Sequence, residues 1–295
     1  MLKPTDRPLP RRGFTLIEMI VSMVILSAMG IAFTKYLTMQ NRFFERETNA
    51  KSARSIARGS MALLLSDLRM VQDSGGVDSV SADGKILRVI VPYRFGLYCG
   101  TNGLKSTVSM LPADSAVVAM AAYDGYAWRD TTKGRYTLVA NSAVPVIGSQ
   151  PNICTGNGGG QAQLRTVSVN GRAGDILDIP LIVAVLAPAP GTPVFFWQKI
   201  TYSFKSSAIY PGLFALWRKQ EGGRNDELLG PFDANARFRF YRTGDDTSVT
   251  VVPSLDSIRG VDLVLSANSP RISAGRTNEK AQLVTSVFFK NTRQY

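Results

Sequence analysis

The chain has 295 residues, and 45% of them are hydrophobic, which is enough for a sizeable globular core. Its formal net charge is +12, and the basic residues are spread along the chain, which indicates a solvated surface before a nucleic-acid site. No histidine is present, which excludes histidine-based acid–base catalysis, Ser-His-Asp and Cys-His nucleophiles, and histidine-ligated zinc.

The first 13 residues are polar, basic and interrupted by three prolines, so they predict no stable element. From Phe14 to Phe33 the chain is apolar apart from Glu18. A helix of about 20 residues is roughly 30 Å long, which matches a bilayer core and exceeds the apolar region of an ordinary secretory signal. Basic residues precede this segment, so the positive-inside rule predicts a single membrane span with an exported domain.

Glu18 is the one charged residue inside this apolar segment. A carboxylate near one end of a membrane span costs on the order of a few kcal/mol, and such residues are functional candidates. Alternatively, Glu18 lies only four residues after Phe14, so its side chain can reach the headgroups without any further role. The physics of the sequence leaves both interpretations open.

Residues 11–18, Arg-Arg-Gly-Phe-Thr-Leu-Ile-Glu, resemble the type III signal of type IV pilins and type II secretion pseudopilins. That signal is a basic leader ending in glycine, then Phe-Thr-Leu, a hydrophobic residue and a glutamate that open an apolar helix. The resemblance implies that a prepilin peptidase cleaves between Gly13 and Phe14 and N-methylates Phe14. It also implies that Glu18 neutralises a neighbouring subunit's amino terminus during filament assembly. The proline that major pilins often carry in this helix is missing, which favours a minor subunit.

Helical periodicity continues beyond the membrane segment. Apolar and small residues recur at three- and four-residue spacing at Ala53, Ile56, Ser60, Leu64, Leu68 and Val71. The run Asp73-Ser74-Gly75-Gly76 predicts a helix stop. We therefore predict a leader peptide over 1–13, a transmembrane helical part over 14–34, a periplasmic helical part over 35–73 and a β-rich globular domain over 77–295.

After the helix the sequence changes to short apolar runs separated by turn signals. The predicted strands are Ile86–Val91, Ala116–Ala122, Tyr136–Ala140, Leu181–Leu186, Val194–Phe204, Leu213–Arg218, Arg237–Arg242, Val261–Ser266 and Leu283–Lys290. Turns are predicted at Asp83-Gly84, Asp124-Gly125, Asn170-Gly171 and Thr243-Gly244, and a loop over Ile153–Gly160. The predicted fold class is α+β, with the long amino-terminal helix packed on an antiparallel β-rich domain. This layout resembles minor pilins and pseudopilins.

Cys99 and Cys154 lie too far apart for a CxxC motif. In an oxidising periplasm we expect them to form a structural disulfide, and two buried thiols are the alternative. The segment Asp78–Gly84 resembles a calcium loop but lacks the closing glutamate, so a turn is the preferred interpretation. We expect no catalytic residue, no metal ligand and no cofactor, with calcium as the one open alternative.

Residues 200–204, 212–218 and 258–265 resemble the J-type pseudopilin of type II secretion and the W-type minor pilin. The resemblance implies a non-enzymatic subunit of a pilus-like filament, held in the bacterial inner membrane with its domain in the periplasm. Its expected partners are the prepilin peptidase, other minor pilins or pseudopilins, and the membrane. The alternatives are a membrane-tethered enzyme using Asp226-Glu227 or Asp245-Asp246, and a DNA-uptake or adhesion subunit that would bind nucleic acid or surfaces.

Overall fold

The computed structural model describes residues 15–72, 75–102, 105–120, 123–130, 134, 136–140, 146–148, 168–169, 172–173, 175–180, 187–273 and 277–289. Its helices are α1 (Leu16–Leu68) and α2 (Pro112–Met120), with a 3₁₀ turn over Leu255–Ser257. Its strands are β1 (Val77–Val80), β2 (Ile86–Asn102), β3 (Lys105–Met110), β4 (Gly125–Arg129), β5 (Tyr136–Ala140), β6 (Val146–Gly148), β7 (Ser168–Val169), β8 (Arg172–Ala173), β9 (Asp175–Pro180), β10 (Pro193–Ser206), β11 (Phe214–Gln220), β12 (Asn225–Phe232), β13 (Arg237–Arg242), β14 (Ile258–Ile272) and β15 (Asn278–Phe288).

Thirteen of the described strands form one antiparallel sheet, and the remaining two, β7 and β8, pair with each other in a separate antiparallel sheet. The order along the main path is β13-β14-β12-β11-β10-β2-β3-β9-β6. Strand β1 pairs with β2, β15 with β14, and β4 with both β10 and β5. A long helix followed by an antiparallel sheet confirms the predicted α+β class.

Strands β5 and β13 have their predicted bounds, and β10, β11, β14 and β15 overlap their predictions with shifted ends. The predicted turns at Asp83-Gly84 and Thr243-Gly244 are present, whereas Asp124-Gly125 leads directly into β4 and is not a turn. The predicted strand Leu181–Leu186, the turn Asn170-Gly171 and the loop Ile153–Gly160 lie outside the described residues.

The predicted strand Ala116–Ala122 is wrong, because Pro112–Met120 forms helix α2. Pro112 occupies the first helical position, where a missing N–H costs no hydrogen bond. The amides of Asp114 and Ser115 both donate to the Leu111 carbonyl at 2.9 Å and close the first turn. Three alanines within nine residues raise the helix propensity enough to outweigh the adjacent valines.

Strand β2 runs eleven residues beyond its predicted end at Val91. Trp197 pairs with Pro92 and Phe196 pairs with Arg94, so Tyr93 is an extra residue in the ladder. A bulge of this kind accommodates the missing N–H of the proline and lets the strand continue. It also reverses the alternation of β2 relative to β10, so odd-numbered residues face one side of the sheet before the bulge and even-numbered residues face it afterwards.

Helix α1 is continuous over 53 residues, but only its second half touches the sheet. Residues 15–48 are exposed. One face is buried against β12, β14 and β15 by Asn49, Ala53, Ala57, Ser60, Leu64 and Leu68. This confirms the predicted buried positions at Ala53, Ser60, Leu64 and Leu68 and adds Asn49 and Ala57, whereas Ile56 is only half-buried. The α-helix ends at Leu68, short of the predicted limit at 73, and tightens into a last turn in which the Val71 amide donates to the Leu68 carbonyl at 3.3 Å.

The last turn of α1 is fastened to the sheet through Asp67. The Tyr202 hydroxyl on β10 donates to Asp67 Oδ2, and Arg218 Nη2 on β11 lies 3.7 Å from the same oxygen. Burial raises the pKa of Tyr202 above its ordinary value, and the Asp67 charge raises it further, so the hydroxyl remains a donor. Because a carboxylate is unfavourable near a helix carboxyl terminus, these two partners stabilise Asp67 where it stands.

The buried side chains form two clusters that meet along β2 and β10. The first lies under α1 and includes Leu64, Leu68, Leu87, Val89, Ile200, Tyr202, Phe238 and Leu263. The second comprises Tyr98, Val108, Met110, Val118, Tyr123, Tyr126, Trp128, Ile179, Val194 and Phe196. One edge of β10 pairs first with β4, through Val194–Trp197, and then with β11, through Ile200–Ser206. The same two strands therefore serve both clusters.

The turn between β1 and β2 packs directly on β13. Gly84 has a φ of +70°, and the Phe238 amide donates to its carbonyl at 2.7 Å. A Cβ at Gly84 would collide with the Phe238 carbonyl oxygen. Both the backbone conformation and the close approach therefore require glycine.

We expect Gly84→Ala to lower the free energy of unfolding by about 3 kcal/mol, because left-handed strain of about 1–2 kcal/mol adds to a backbone clash. Gly222→Ala is the matched control: its φ is +69°, but nothing lies within 4 Å of the added Cβ. The control should show the strain alone. Thermal unfolding of the detergent-solubilised full chain, followed by circular dichroism, would measure both, and equal losses would contradict the predicted contact with β13.

Candidate functional site

Helix α1 begins with a capping box formed by Thr15 and Glu18. The Glu18 amide donates to Thr15 Oγ1 at 3.4 Å, and Glu18 Oε2 accepts from the Thr15 amide at 3.2 Å and from its hydroxyl at 3.3 Å. The box satisfies amide donors that have no partner within the helix and places a carboxylate at the positive end of the helix dipole. The Glu18 carboxylate is therefore held at the start of the helix.

This local role of Glu18 was missed from the sequence, although Thr15-x-x-Glu18 is the pattern of a capping box. The box does not exclude the predicted role in assembly, because it leaves the charge of Glu18 in place. Gly13 and Phe14, the predicted cleavage and methylation residues, lie outside the described residues. Their roles, like that of Glu18 in assembly, stay predictions.

The apolar part of α1 exposes large side chains around its whole circumference. Exposed fractions reach 77% for Leu16, 68% for Leu26 and 63% for Phe33. The helix is long and apolar enough to cross a membrane, and none of its most apolar stretch is buried by the described part of the chain. The Ser27 and Thr34 hydroxyls donate to backbone carbonyls four residues earlier at 2.7 Å, so they add no unsatisfied donor to an apolar environment.

Cys99 lies half-buried on β2, in the half of the strand that serves the second cluster. Cys154 lies outside the described residues, so the disulfide stays a prediction.

The two carboxylates of the acidic pair Asp245-Asp246 form ion pairs with different arginines. Asp245 forms an ion pair with Arg242, and Asp246 Oδ1 lies 2.9 Å from Arg259 Nη2, which also donates to the Asp245 carbonyl at 2.6 Å. The two carboxylates therefore neutralise cations of their own loop and do not converge on a common point.

The second acidic pair, Asp226-Glu227, lies on β12 and not in a turn. Glu227 accepts hydrogen bonds from the Ser207 hydroxyl and, at 2.8 Å, from the Ala208 amide, and so caps the turn after β10. Asp226 is exposed and lies opposite Arg218 in the ladder. Successive strand residues point to opposite faces, which keeps the two carboxylates apart.

The segment Asp78–Gly84 forms the predicted turn. Asp78 lies 3.2 Å from Arg88 Nε and 2.9 Å from Lys199 Nζ. Asp83 accepts from the Ser81 hydroxyl and from the Lys85 amide, and these hydrogen bonds hold the pKa of its carboxyl below the ordinary value. The two carboxylates therefore serve different partners, which removes the main argument for a calcium loop.

An aromatic cleft of about 370 Å³ lies beside the β2 bulge, between the end of α1 and strands β4, β5 and β10. Its aromatic walls are Tyr93, Phe95, Tyr136, Phe195 and Trp197. The described residues that line it include no carboxylate and no thiol. Burial raises the pKa of Tyr93 to about 12, so this phenol stays protonated at neutral pH. The described walls therefore supply no acid–base pair.

We expect non-reducing peptide mapping of the exported protein to find a Cys99–Cys154 disulfide. The bond would close a loop of about 55 residues and contribute on the order of 4 kcal/mol in the chain-entropy model. Cys99→Ser and Cys154→Ser should destabilise the protein equally, because each removes the same bond. Two thiols that react with an alkylating agent in the native protein would contradict the pairing.

A family model described as the prokaryotic N-terminal methylation motif matches residues 9–34. The matched stretch contains the end of the predicted leader, the capping box and the whole apolar part of α1 up to Phe33. No curated protein and no solved structure matches the chain. The match supports a type IV pilin-like protein that is processed by a prepilin peptidase, and it does not extend to the β-rich domain.

Proposed function

We propose that this chain is a minor pilin or pseudopilin, a structural and assembly subunit of a type IV pilus-like filament. The observation that carries the proposal is the division of α1 into an exposed apolar first part and a second part buried on the domain. An apolar helix surface of this extent is unfavourable in water and requires a bilayer or the helices of other subunits around it. The same helix can therefore anchor the free subunit and later pack inside a filament.

The methylation motif supports the same proposal, because it lies where the helix begins. We infer that the prepilin peptidase cleaves after Gly13 and methylates Phe14, and that the β-rich domain lies in the periplasm. Glu18 would then face the amine of a neighbouring subunit's first residue, where an opposite charge compensates a carboxylate in an apolar setting. The same arrangement serves a pilus and a type II secretion pseudopilus. Loss of twitching or loss of secretion in a deletion strain distinguishes the two.

The tethered-enzyme alternative finds little support in the described geometry. Asp245 and Asp246 are bound by arginines, Glu227 caps a turn, and Asp226 is exposed on the other face of its strand. The aromatic cleft adds no acid–base pair from its described walls. The structural subunit therefore accounts for more of the observations than an enzyme does.

Processing gives the first test. Mass spectrometry of the protein from native membranes should show an amino-terminal, N-methylated Phe14. Gly13→Leu should leave the chain uncut, because a side chain at this position obstructs the peptidase, whereas Arg11→Gln should still be processed. A mature protein that begins after residue 30 would indicate an ordinary secretory signal and contradict the proposal.

Glu18 gives the second test, because its charge and its capping role are separable. Glu18→Gln keeps the acceptor of the capping box but removes the charge, Glu18→Leu removes both, and Thr15→Ala weakens the cap but keeps the charge. We expect all three variants to be inserted and cleaved after Gly13. Both Glu18 variants should lose most of their co-purification with partner pilins at matched membrane levels, and Thr15→Ala should resemble the wild type.

Other outcomes of this comparison have defined meanings. If Glu18→Gln assembles like the wild type and Glu18→Leu does not, the residue acts only through the cap. If all three variants co-purify normally, Glu18 has no role in assembly, and the alternative of a membrane-tethered enzyme stands.

A further inference from the structure

We infer that the exposed face of α1 bearing Lys51, Arg54 and Arg58 docks against an acidic helix of a different subunit in the same filament. The inference rests on the proposed function, because two such helices meet only if the chain assembles beside other subunits. We call these three residues the basic face of α1.

The basic face points away from the domain. Its three residues recur at spacings of three and four, which places them on one side of the helix, and all three are exposed. Ala53, Ala57 and Ser60, on the other side, are buried against the sheet. The domain therefore leaves the basic face open to a neighbour.

Within the described residues, no carboxylate oxygen lies within 4.0 Å of the basic face. Glu47 precedes Lys51 by four residues but forms no ion pair with it. Some cations of the β-rich domain, such as Arg88, Lys199 and Arg259, have acidic partners. Other exposed cations of that domain, Lys219, Arg224 and Arg237, form no ion pair with a described carboxylate and provide the comparison used below. Like charges three and four residues apart destabilise a helix, so an anionic partner would relieve a repulsion that the isolated chain leaves in place.

A membrane surface does not fit as this partner. Lys51 lies 18 residues after Phe33, the end of the apolar segment, which is about 27 Å along a helix. The headgroup layer extends only about 5–8 Å beyond the hydrocarbon core, and screening at physiological salt acts over about 8 Å. Lipid phosphates are therefore out of reach of an upright helix.

A second copy of this chain does not fit either. Cleavage after Gly13 removes four basic residues and one acidic residue, so the mature chain has a formal charge of +12 − 4 + 1 = +9. Two copies that met through this face would bring like charges together, and repulsion of this kind suppresses wrong partners. The partner is therefore a different subunit with carboxylates at spacings of three or four residues.

The anchoring of α1 also predicts the height of those carboxylates. If the two subunits dock while both are still anchored side by side in the membrane, the partner's acidic residues lie about 27–38 Å above the end of its apolar segment, level with Lys51 to Arg58. In sequence this is roughly 18–25 residues beyond that segment. Binding of DNA to the basic face would require neither a fixed height above the membrane nor a helix. Binding to an acidic helix and binding to DNA can therefore be distinguished.

A photoreactive benzoylphenylalanine at Ser55 would test the inference. Ser55 is exposed between Lys51 and Arg58, so the probe samples whatever covers this face. The full-length chain is irradiated in native membranes after nuclease treatment, and the cross-linked peptide is identified by mass spectrometry. We expect a different protein with the same N-terminal methylation motif, linked within a helical segment that carries at least two carboxylates at the stated height.

Charge reversal supplies the control. Lys51→Glu, Arg54→Glu and Arg58→Glu together should reduce the cross-link about tenfold or more, because the attraction between this face and the partner's carboxylates becomes repulsion. The matched variant Lys219→Glu, Arg224→Glu and Arg237→Glu makes the same charge change at exposed sites of the β-rich domain and should leave the cross-link unchanged. Replacing the partner's carboxylates by lysines should restore the cross-link of the reversed chain.

Cross-links to a second copy, to lipid or to a segment without carboxylates would overturn the inference, as would a cross-link that survives charge reversal or is lost on nuclease treatment. An absent cross-link would also overturn it if the chain is still processed at Phe14 and co-purifies with partner pilins. If processing and co-purification both fail in the wild type, the proposed function itself is wrong.

Discussion

The burial of one face of α1 on the sheet is the contact on which the rest of the structure depends. It begins at Asn49, whose side-chain amide donates to Ser273 Oγ at 3.0 Å, and it ends at Asp67, which Tyr202 and Arg218 hold. Between these polar contacts the helix inserts small residues and then Leu64 into the core. Small residues let the helix approach the strands closely, and the leucines supply most of the apolar burial. The apolar half of the helix can therefore project freely, because the other half is fixed.

Sequence patterns predicted the parts of the fold that follow a simple period. The buried face of α1 and strands β5 and β13 fall into this group. The errors have physical causes. In α2, three alanines and an initial proline favour a helix over the strand that two adjacent valines suggested. In β2, a bulge lets the strand continue beyond Pro92. Strands β3 and β12 were missed because β3 buries serine and threonine, and β12 begins with exposed polar residues.

The functional candidates also fall into those that the sequence predicted and those that only the structure showed. A local motif predicted the importance of Glu18, and Thr15 at the correct spacing could have indicated its cap. The basic face of α1 could be recognised only in the structure, because the positions of basic residues in a sequence do not show which of them have acidic partners. Ion pairs such as that of Lys199 with Asp78 join residues more than a hundred positions apart, so only the fold reveals which cations remain unpaired.

The bulge on β2 has a consequence for how this protein can be divided. Because β2 and β10 each pass through both clusters of buried side chains, the boundary between the clusters falls inside two strands and not in a linker. A truncated chain that kept one cluster would cut both strands and leave apolar side chains and ladder amides open to solvent. The parts of the domain that contain the two clusters are therefore expected to unfold as one cooperative unit. Limited proteolysis should yield no stable fragment that contains only one cluster.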